Sequence, residues 1–295
     1  MPEDNVRRTP TDPIRVGLIG AGIQASRSPA MHMEEARALG MRLQYELFDL
    51  DSLGGAGVLG QLLQRLEREG FAGVNITHPC KQSVLGHLHE LSPEARLIGA
   101  VNTVVFERGR RSGFNTDWIG FAESLRRRLV GASLGNVTQL GAGGAGSATV
   151  YALLTCGAGR VHIYDTDAAR AEDLAARFAS QFGAERLLPT HDLPGALAGS
   201  DGLVNASPVG MRSHPGMPLP RHLLRPALWV ADIVYFPLAT ELLEAARSLG
   251  CRALDGGTMA VLQAAAAFTR FTGVEPDAQR MLSRFYQAPL VGPAG

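Results

Sequence analysis

A lysine and an aspartate are the residues of this sequence best suited to acid–base chemistry. Lys81 follows the strand-like run GVNI and Pro79, and proline favours the first position of a helix, so the pattern predicts Lys81 in a first helical turn. The helix dipole disfavours a protonated amine there, which favours proton transfer. Asp117, within GFNTDWIGF, could orient that amine or cap the helix that follows, and the two roles are compatible. A solvated surface charge is the alternative interpretation of Lys81.

Further polar side chains stand at or near the ends of predicted strands, which is where α/β proteins build their sites. Asn75 and Thr77 occupy the end of the strand GVNI, and Asn102 interrupts the apolar run GAVNTVV. Tyr235 ends a later strand, in DIVYFPLATELL. Gln263 lies on a mostly apolar helix, where a structural amide with satisfied hydrogen bonds is the alternative to a ligand-binding one.

Two glycine-rich turns compete for the role of a dinucleotide-binding loop. The first, VGLIGAGIQAS, contains Gly20 and Gly22 but has alanine in place of the third glycine, although Asp49 ends the strand that follows. The adjoining SRSP places Ser26 and Ser28 at a helix start, where two hydroxyl donors could bind a carboxylate or a phosphate. Ordinary helix capping by serine is the alternative for these residues.

The second turn, VTQLGAGGAGS, has the full glycine pattern at Gly141, Gly143 and Gly146. It leads into the uninterrupted helix SATVYALLTCG, whose first amides can hold a pyrophosphate. The next strand, VHIY, ends on Asp165, at the position where an acid binds the adenosine ribose hydroxyls. The sequence therefore favours the second turn for a dinucleotide, with a close-packed strand–helix turn as the alternative.

Composition excludes several classes of protein. The chain has 295 residues, 45% of them apolar, and its 28 basic residues balance its 28 acidic ones, which argues against nucleic acid as a partner. No apolar run reaches the roughly 20 residues that span a bilayer, and the leader MPEDNVRRTPTDP lacks the apolar region of a signal peptide, so we expect a cytoplasmic protein. Cys80, Cys156 and Cys251 are expected to be unpaired; Cys80 is a reactive thiol or, preferably, a buried packing residue.

Alternation of short β-branched runs with helical patterns predicts an α/β protein with parallel sheets. The predicted strands are 15–19, 43–48, 73–76, 101–106, 137–140, 160–164, 202–205 and 228–234, and the predicted helices include 120–130, 168–181 and 259–271. A domain boundary is expected near Asp117.

The ordered motifs resemble those of the shikimate dehydrogenase family. They are SRSP, VNITHPCK, GAVNTVV, NTDWIGF, GAGGAG, NASPVGM, DIVYFPLATELL and MAVLQAAAAF, and they extend from Val16 to Gly273. The resemblance implies two α/β domains: an open substrate-binding domain formed by residues 1–117 with 258–295, and a Rossmann dinucleotide-binding domain formed by residues 118–257.

The resemblance also implies roles for individual residues, in the interconversion of a cyclic hydroxy acid and its 3-keto form by hydride transfer. Lys81 and Asp117 would form the catalytic pair. The substrate-binding residues would be Ser26, Ser28, Asn75, Thr77, Asn102, Tyr235 and Gln263. The cofactor-binding residues would be Gly141, Gly143, Gly144, Ala145, Asp165, Asn205, Ser207, Met211 and Gly257. No metal is expected, and the protein would be a monomer or a homodimer.

Two departures from the common family pattern bear on the cofactor. The common pattern has an Asn-Arg-Thr clamp for the 2′-phosphate of NADP, whereas this chain has Asp165, Thr166 and Asp167, which would repel a phosphate. We therefore expect NAD, as in the quinate/shikimate dehydrogenase branch of the family. Thr258 replaces a glycine of the last motif, which puts one backbone contact to the nicotinamide in doubt.

The substrate stays open at this point, because shikimate, quinate and an amino analogue all fit the same motifs. Two other hypotheses are a methylenetetrahydrofolate dehydrogenase, which shares the two-domain plan and a catalytic lysine, and a non-catalytic NAD-sensing regulator. The joint presence of Lys81 and Asp117 favours an enzyme over the regulator.

Overall fold

The structure is a computed structural model that describes residues 12–287, so most of the polar leader lies outside the described residues. The chain divides into two compact units. Among the described residues, the first unit consists of residues 12–96, Val101–Thr116 and residues 264–287, and the second consists of Leu97–Ala100 and Asp117–Gln263. The domain division at residues 117 and 258 stays a prediction. No helix within 12–287 is long and apolar enough to cross a bilayer.

The elements follow one another in an α/β pattern, which confirms the predicted fold class. The strands are β1 (Ile14–Gly20), β2 (Leu43–Asp49), β3 (Gly73–Ile76), β4 (Glu90–Leu91), β5 (Thr103–Glu107), β6 (Arg110–Phe114), β7 (Asn136–Leu140), β8 (Arg160–Tyr164), β9 (Leu187–Pro189), β10 (Gly202–Asn205), β11 (Trp229–Asp232) and β12 (Arg252–Leu254). The α-helices are α1 (Ser28–Ala38), α2 (Leu50–Leu53), α3 (Leu59–Arg68), α4 (Pro93–Ile98), α5 (Asp117–Arg128), α6 (Gly144–Thr155), α7 (Ala168–Phe182), α8 (Leu193–Ala198), α9 (Glu241–Ser248), α10 (Gly256–Thr272) and α11 (Ala278–Gln287).

The first unit is built on a six-stranded sheet in the order β2-β1-β3-β5-β6-β4. β1 is parallel to β2 and β3, whereas β5 is antiparallel to both β3 and β6. The hairpin between β5 and β6 turns through Arg108 and Gly109, which have positive φ angles of 51° and 71°, as a tight two-residue turn requires. This hairpin was not predicted from the sequence.

Apolar layers cover both faces of this sheet. On one face the leucines of α3, at positions 59, 62, 63 and 66, repeat with helical spacing and are buried with Ile19 and Val74. On the other face Val16 and Leu18 pack with Phe271 of α10. Alternate residues of β1 therefore face opposite layers, which fixes the register of the strand.

The second unit has a six-stranded sheet in the order β12-β11-β10-β7-β8-β9, with every pair parallel. This is the doubly wound order in which the chain direction across the sheet reverses next to the first strand of the unit, β7. Ligands bind at such a reversal, outside the carboxyl ends of the strands. The glycine loop predicted to bind a dinucleotide follows β7, so the fold places it at the reversal.

One predicted element is wrong. No α-helix begins at Pro79; residues 78–82 form a turn that leads into a 3-10 helix at Ser83–His87. The carbonyl of Lys81, which a helix would use internally, instead accepts a hydrogen bond from the N–H of Val101 at 2.8 Å. The helix dipole that we expected to act on Lys81 is therefore absent.

Candidate active site

Several chain segments meet at one edge of the first sheet. β1 and β3 are parallel and both end there. β5 begins at the same edge and β6 ends there, because β5 runs antiparallel to both β3 and β6. The predicted site residues that lie on or next to the segments at this edge are Ser26, Ser28, Asn75, Thr77, Lys81 and Asn102. The first unit thus gathers these residues although they are scattered in sequence.

The loop after β1 packs directly against the segment that leads to Lys81. The N–H of Ala21 donates to the carbonyl of His78 at 2.9 Å. Position 20 requires glycine, because an added Cβ would lie 2.3 Å from Thr77 Cγ2 and 3.0 Å from the His78 carbonyl oxygen. The loop that carries the serines and the turn that carries the lysine are therefore held in one geometry.

The first glycine turn already holds an acid of its own chain. The two carboxylate oxygens of Asp49 accept hydrogen bonds from the N–H of Gly22 at 3.0 Å and the N–H of Ile23 at 3.2 Å, and Gln24 Nε2 donates at 3.1 Å. Burial works in the opposite direction, but these hydrogen bonds keep the pKa of Asp49 below its usual value. Because a carboxylate fills the place that a phosphate would take, this turn is a poor dinucleotide site.

The serines lie where the sequence predicted, at the start of a helix. Ser28 is the first residue of α1, and the hydroxyl of Ser26 accepts a hydrogen bond from the Ser28 N–H at 3.3 Å. The N-cap position falls on Arg27, whose side chain makes no capping bond. Arg27 instead donates to the carbonyl of Phe285 at 2.7 Å and lies 4.0 Å from the centroid of its ring. Helix α11 therefore anchors the serine loop.

Lys81 and Cys80 occupy the turn after β3. Lys81 is half-buried, and its carbonyl is fixed by Val101. Cys80 is fully buried, and burial raises the pKa of its thiol. Cys80 belongs to the apolar core of the first unit, as the packing interpretation expects.

A buried amide network connects β5 to the end of β6. Asn102 is 3% exposed; its Oδ1 accepts from the Thr116 N–H at 2.7 Å, and its Nδ2 donates to Thr116 Oγ1 at 2.9 Å. Asn75 lies beside it: its Oδ1 accepts from the hydroxyl of Tyr45 at 2.9 Å, and its Nδ2 donates to Asn102 O and Thr103 Oγ1. Both ends of the Asn75 amide are thus used within the protein, which favours a framework role for this residue.

In the second unit, the glycine loop between β7 and α6 is shaped by close backbone contacts. Gly141 has a φ of 97°, and an added Cβ would lie 2.7 Å from the carbonyl oxygen of Ala206. A Cβ at Gly146 would lie 2.3 Å from the Gly141 carbonyl oxygen. Gln139 Nε2 donates to the carbonyls of Gly141 and Gly146 at 2.8 and 2.9 Å. The buried side chain of Gln139 therefore holds the loop closed.

The same loop leaves room for a ligand at its tip. Gly143 is the N-cap of α6, and among residues 12–287, its two chain neighbours apart, no heavy atom lies within 4 Å of a Cβ placed there. Gly144 and Ala145 form the first turn of this 12-residue helix, and no side chain caps it. Free helical amides and an open approach fit the pyrophosphate of a dinucleotide.

Asp165 follows β8, as predicted, and lies next to this loop. Its Oδ2 accepts from the N–H of Ala142 at 2.7 Å, and its Oδ1 accepts from the N–H of Asp167 at 2.9 Å. Asp167 lies 3.3 Å from Arg170, with both side chains mostly exposed, so this ion pair offsets little of its charge. Thr166 is exposed between the two acids.

The remaining predicted cofactor residues lie on two other segments of this unit. Asn205 ends β10, Ser207 follows it, and Met211 is 41% exposed in the loop beyond. Gly257 lies in the first turn of α10, and its N–H donates to Asp255 Oδ1 at 3.0 Å.

Asp117 is the first residue of α5, so the N-cap position falls on the preceding residue. The side chain of Asp117 is buried. One turn later a Cβ at Gly120 would lie 2.8 Å from the backbone nitrogen of Gln263, so α5 and α10 are in close contact at this point. Gln263 Nε2 donates to the carbonyl of Ala260 at 2.9 Å. Tyr235, after β11, is 43% exposed.

Two buried residues of the second unit that shape these loops were not predicted from the sequence. Gln139 was read only as part of a strand, and a polar residue in the apolar run before the glycines was the available signal. Asp232 was not considered, although it is the acid at the end of the apolar run LWVAD. Among the described residues no group of three or more His, Cys, Asp or Glu is placed to hold a metal ion.

A doubly wound parallel sheet with this loop and acid at its reversal point defines a dinucleotide-binding protein of the Rossmann class. Known proteins identify the family. A profile of the shikimate dehydrogenase substrate binding domain matches residues 18–104. The NADP(+) shikimate dehydrogenase of Streptomyces avermitilis is 53% identical over 286 residues, which cover 96% of this chain and 98% of the relative. The NAD(+) quinate/shikimate dehydrogenase of Corynebacterium efficiens is 46% identical over 278 residues, 93% of this chain and 98% of the relative.

Solved structures agree. Quinate dehydrogenase from Corynebacterium glutamicum in complex with NAD has a TM-score of 0.87 at 44% identity, with 94% of this chain and 100% of that chain covered. Shikimate 5-dehydrogenase from Thermus thermophilus in complex with NADP(H) and shikimate has a TM-score of 0.82 at 36% identity, with 93% and 99% covered. The chain belongs to the shikimate dehydrogenase family of nicotinamide-dinucleotide oxidoreductases, which confirms the resemblance seen in the sequence.

Proposed function

We propose that this protein is an NAD-dependent dehydrogenase that interconverts shikimate or quinate with the corresponding 3-keto acid. The single observation that carries the choice of NAD is the pair of acids after β8. Asp165 is anchored beside the glycine loop through Ala142, and Asp167 lies within the same turn. Relatives of both cofactor types are similar to this chain, so membership of the family does not decide between them.

The electrostatic argument favours a ribose without phosphate. A carboxylate can accept hydrogen bonds from the 2′- and 3′-hydroxyls of NAD, whereas the 2′-phosphate of NADP would face two acids at short range. Position 166 offers a threonine hydroxyl and no guanidinium to offset that repulsion. A preference of about a hundredfold needs only about 2.7 kcal/mol of discrimination.

We assign the reaction steps to the predicted residues. The carboxylate of the cyclic acid is bound by the hydroxyls of Ser26, Ser28 and Tyr235. The hydroxyls of its ring are bound by Thr77, Asn102 and Gln263. Lys81 takes the proton of the 3-hydroxyl during oxidation and returns it during reduction, and Asp117 orients the amine. The bound nicotinamide supplies hydride chemistry. These roles are assigned from the positions of the family's motifs in this chain.

The test is a set of steady-state measurements with shikimate, quinate and a 3-amino analogue, each with NAD and NADP, followed by the absorbance of the reduced nicotinamide. We expect NAD to be preferred by about a hundredfold in kcat/KM. The double variant Asp165→Asn/Thr166→Arg should narrow or invert the preference, because it removes a repulsion and adds a phosphate ligand. Glu172→Gln, an exposed acid on α7, is the matched control and should leave the preference unchanged.

Equal rates with both dinucleotides, or a preference for NADP, would refute the cofactor assignment. Comparison of kcat/KM for the three acids identifies the substrate independently of the cofactor. The ratios between these values do not depend on the adenosine end of the cofactor. Turnover of none of them with either dinucleotide would refute the substrate class, and the cofactor preference would then be measured from the binding of NADH and NADPH.

A further inference from the structure

A buried carboxylate lies between two loops of the second unit. Asp232, the last residue of β11, is 2% exposed. Its Oδ1 accepts hydrogen bonds from Asn205 Nδ2 and from the N–H of Val234, each at 3.0 Å. Its Oδ2 accepts from the hydroxyl of Thr240 at 2.7 Å. The three donors thus lie on two loops. Asn205 stands at the start of the loop after β10, whereas Val234 and Thr240 belong to the loop between β11 and α9.

This carboxylate is held without a cation. Among residues 12–287 no Lys, Arg or His forms an ion pair with Asp232. Burial raises its pKa to about 6, although the hydrogen bonds from Thr240, Val234 and Asn205 act in the opposite direction. A buried charge stabilises the folded state less than an apolar group of similar size does, because it loses its hydration. The carboxylate, however, gives several donors one common acceptor.

On one side, Asp232 fixes the loop that carries three of the proposed cofactor residues. Asn205, which donates to Asp232, also donates to the carbonyl of Val209 at 2.9 Å. Its Oδ1 accepts from the N–H of Ser207 at 3.1 Å and from the Ser207 hydroxyl at 2.7 Å. The orientation of the Asn205 amide therefore sets the course of the loop from Asn205 to Met211, hereafter the 205–211 loop.

On the other side, Asp232 fixes the segment that carries Tyr235. The Val234 N–H that it binds belongs to the residue directly before the tyrosine. Thr240, which donates to its other oxygen, also caps helix α9 by accepting from the Leu243 N–H at 3.3 Å. The segment of residues 233–240 is thus held at both ends by one carboxylate.

We propose that Asp232 is a positioning residue that aligns the 205–211 loop with the segment of residues 233–240, and so sets the affinity for the dinucleotide and for the acid substrate together. This inference rests on the proposed function, because Asn205, Ser207, Met211 and Tyr235 are proposed site residues. Asp232 is almost fully buried and accepts hydrogen bonds from Asn205, Val234 and Thr240, so we place it behind the ligand-binding residues and not among them.

The test compares three variants. Asp232→Ala removes all three bonds and should raise both the Kd for NADH and the KM for the cyclic acid by about ten- to a hundredfold, as a misplaced binding group does. Asp232→Asn should rescue most of the binding, because its amide oxygen can still accept from Asn205 and Val234 while its nitrogen donates to the Thr240 hydroxyl. Thr240→Val should lower the Tm through the lost cap and leave the Kd for NADH within about twofold.

Binding of NADH and of NADPH is measured by the fluorescence of the reduced nicotinamide without any acid present. This readout tests the positioning role even if the protein fails to oxidise any of the three acids. If Asp232→Ala does not fold, Asp232→Leu serves instead: its apolar side chain fills the buried position but accepts none of the three hydrogen bonds, so it should raise both the Kd for NADH and the KM for the acid. A folded Asp232→Ala variant with wild-type Kd and KM and only a lower Tm would overturn the proposal.

Discussion

Acid sensitivity of the first unit should depend on one buried histidine. His32, on α1, is 1% exposed, and its ring lies 5.0 Å from that of Tyr45 and 6.0 Å from those of Phe268 and Phe271. Neither ring nitrogen has a hydrogen-bond partner among the described residues. Burial lowers the pKa of His32 to about 3. The native state therefore keeps the imidazole neutral in the range of pH 5 to 7, where an exposed histidine takes up a proton.

The direction of the effect follows from proton uptake by the unfolded chain. An unfolded histidine binds a proton below about pH 6.5, whereas the native one does not until about pH 3. Between these values the unfolded state holds more protons, so the free energy of unfolding falls as the pH falls. For a single group with these two pKa values the loss between pH 7 and pH 5 is about 2 kcal/mol.

Replacement of His32 by leucine should abolish this contribution. We expect the wild type to lose about 2 kcal/mol more than His32→Leu between pH 7 and pH 5. The measurement is urea unfolding followed by far-UV circular dichroism, because Trp118 and Trp229 both lie in the second unit and their fluorescence reports on that unit. His222→Gln, at an exposed position, is the control and should keep the wild-type pH dependence. Equal pH dependence in His32→Leu and the wild type would refute the reasoning.

Two further predictions concern the proposed active site. Lys81→Ala should lower kcat by about 10²- to 10⁴-fold with a smaller change in KM, because a positioned acid–base group contributes about that factor; activity within tenfold of the wild type would remove Lys81 from the mechanism. Ser26→Ala and Ser28→Ala should each raise the KM for the acid by roughly ten- to a hundredfold through loss of one hydrogen bond to a charged group, as measured by initial rates, and an unchanged KM in both would return the serines to a structural role.

Local patterns predicted most of the framework, since strand and helix periods and glycine loops are properties of neighbouring residues. The glycine loop after β7, the acid after β8 and the helix start at Ser28 all lie where the sequence indicated. The exceptions involve partners distant in sequence. Helix formation at Pro79 fails because Val101 takes the Lys81 carbonyl.

The first glycine turn shows the same limit of sequence reasoning. Its motif and the Asp49 that follows β2 matched the dinucleotide pattern closely enough to compete with the second turn. Only the structure shows that Asp49 binds the amides of Gly22 and Ile23 itself. In the second turn the equivalent acid, Asp165, accepts a hydrogen bond from one amide of the turn, that of Ala142, and no side chain caps the start of α6.

The order in which the chain is made bears on how the first unit forms. The second unit ends at Gln263, so all of it emerges from the ribosome before α11 does. The first unit needs α11, which binds the loop before α1 through the contact between Arg27 and Phe285, and it needs Phe271 to cover Leu18. The strands made first must therefore wait, with one apolar face uncovered, until the last helices arrive. For this chain, chaperone dependence during translation should centre on the first unit, and the second unit should acquire its fold earlier.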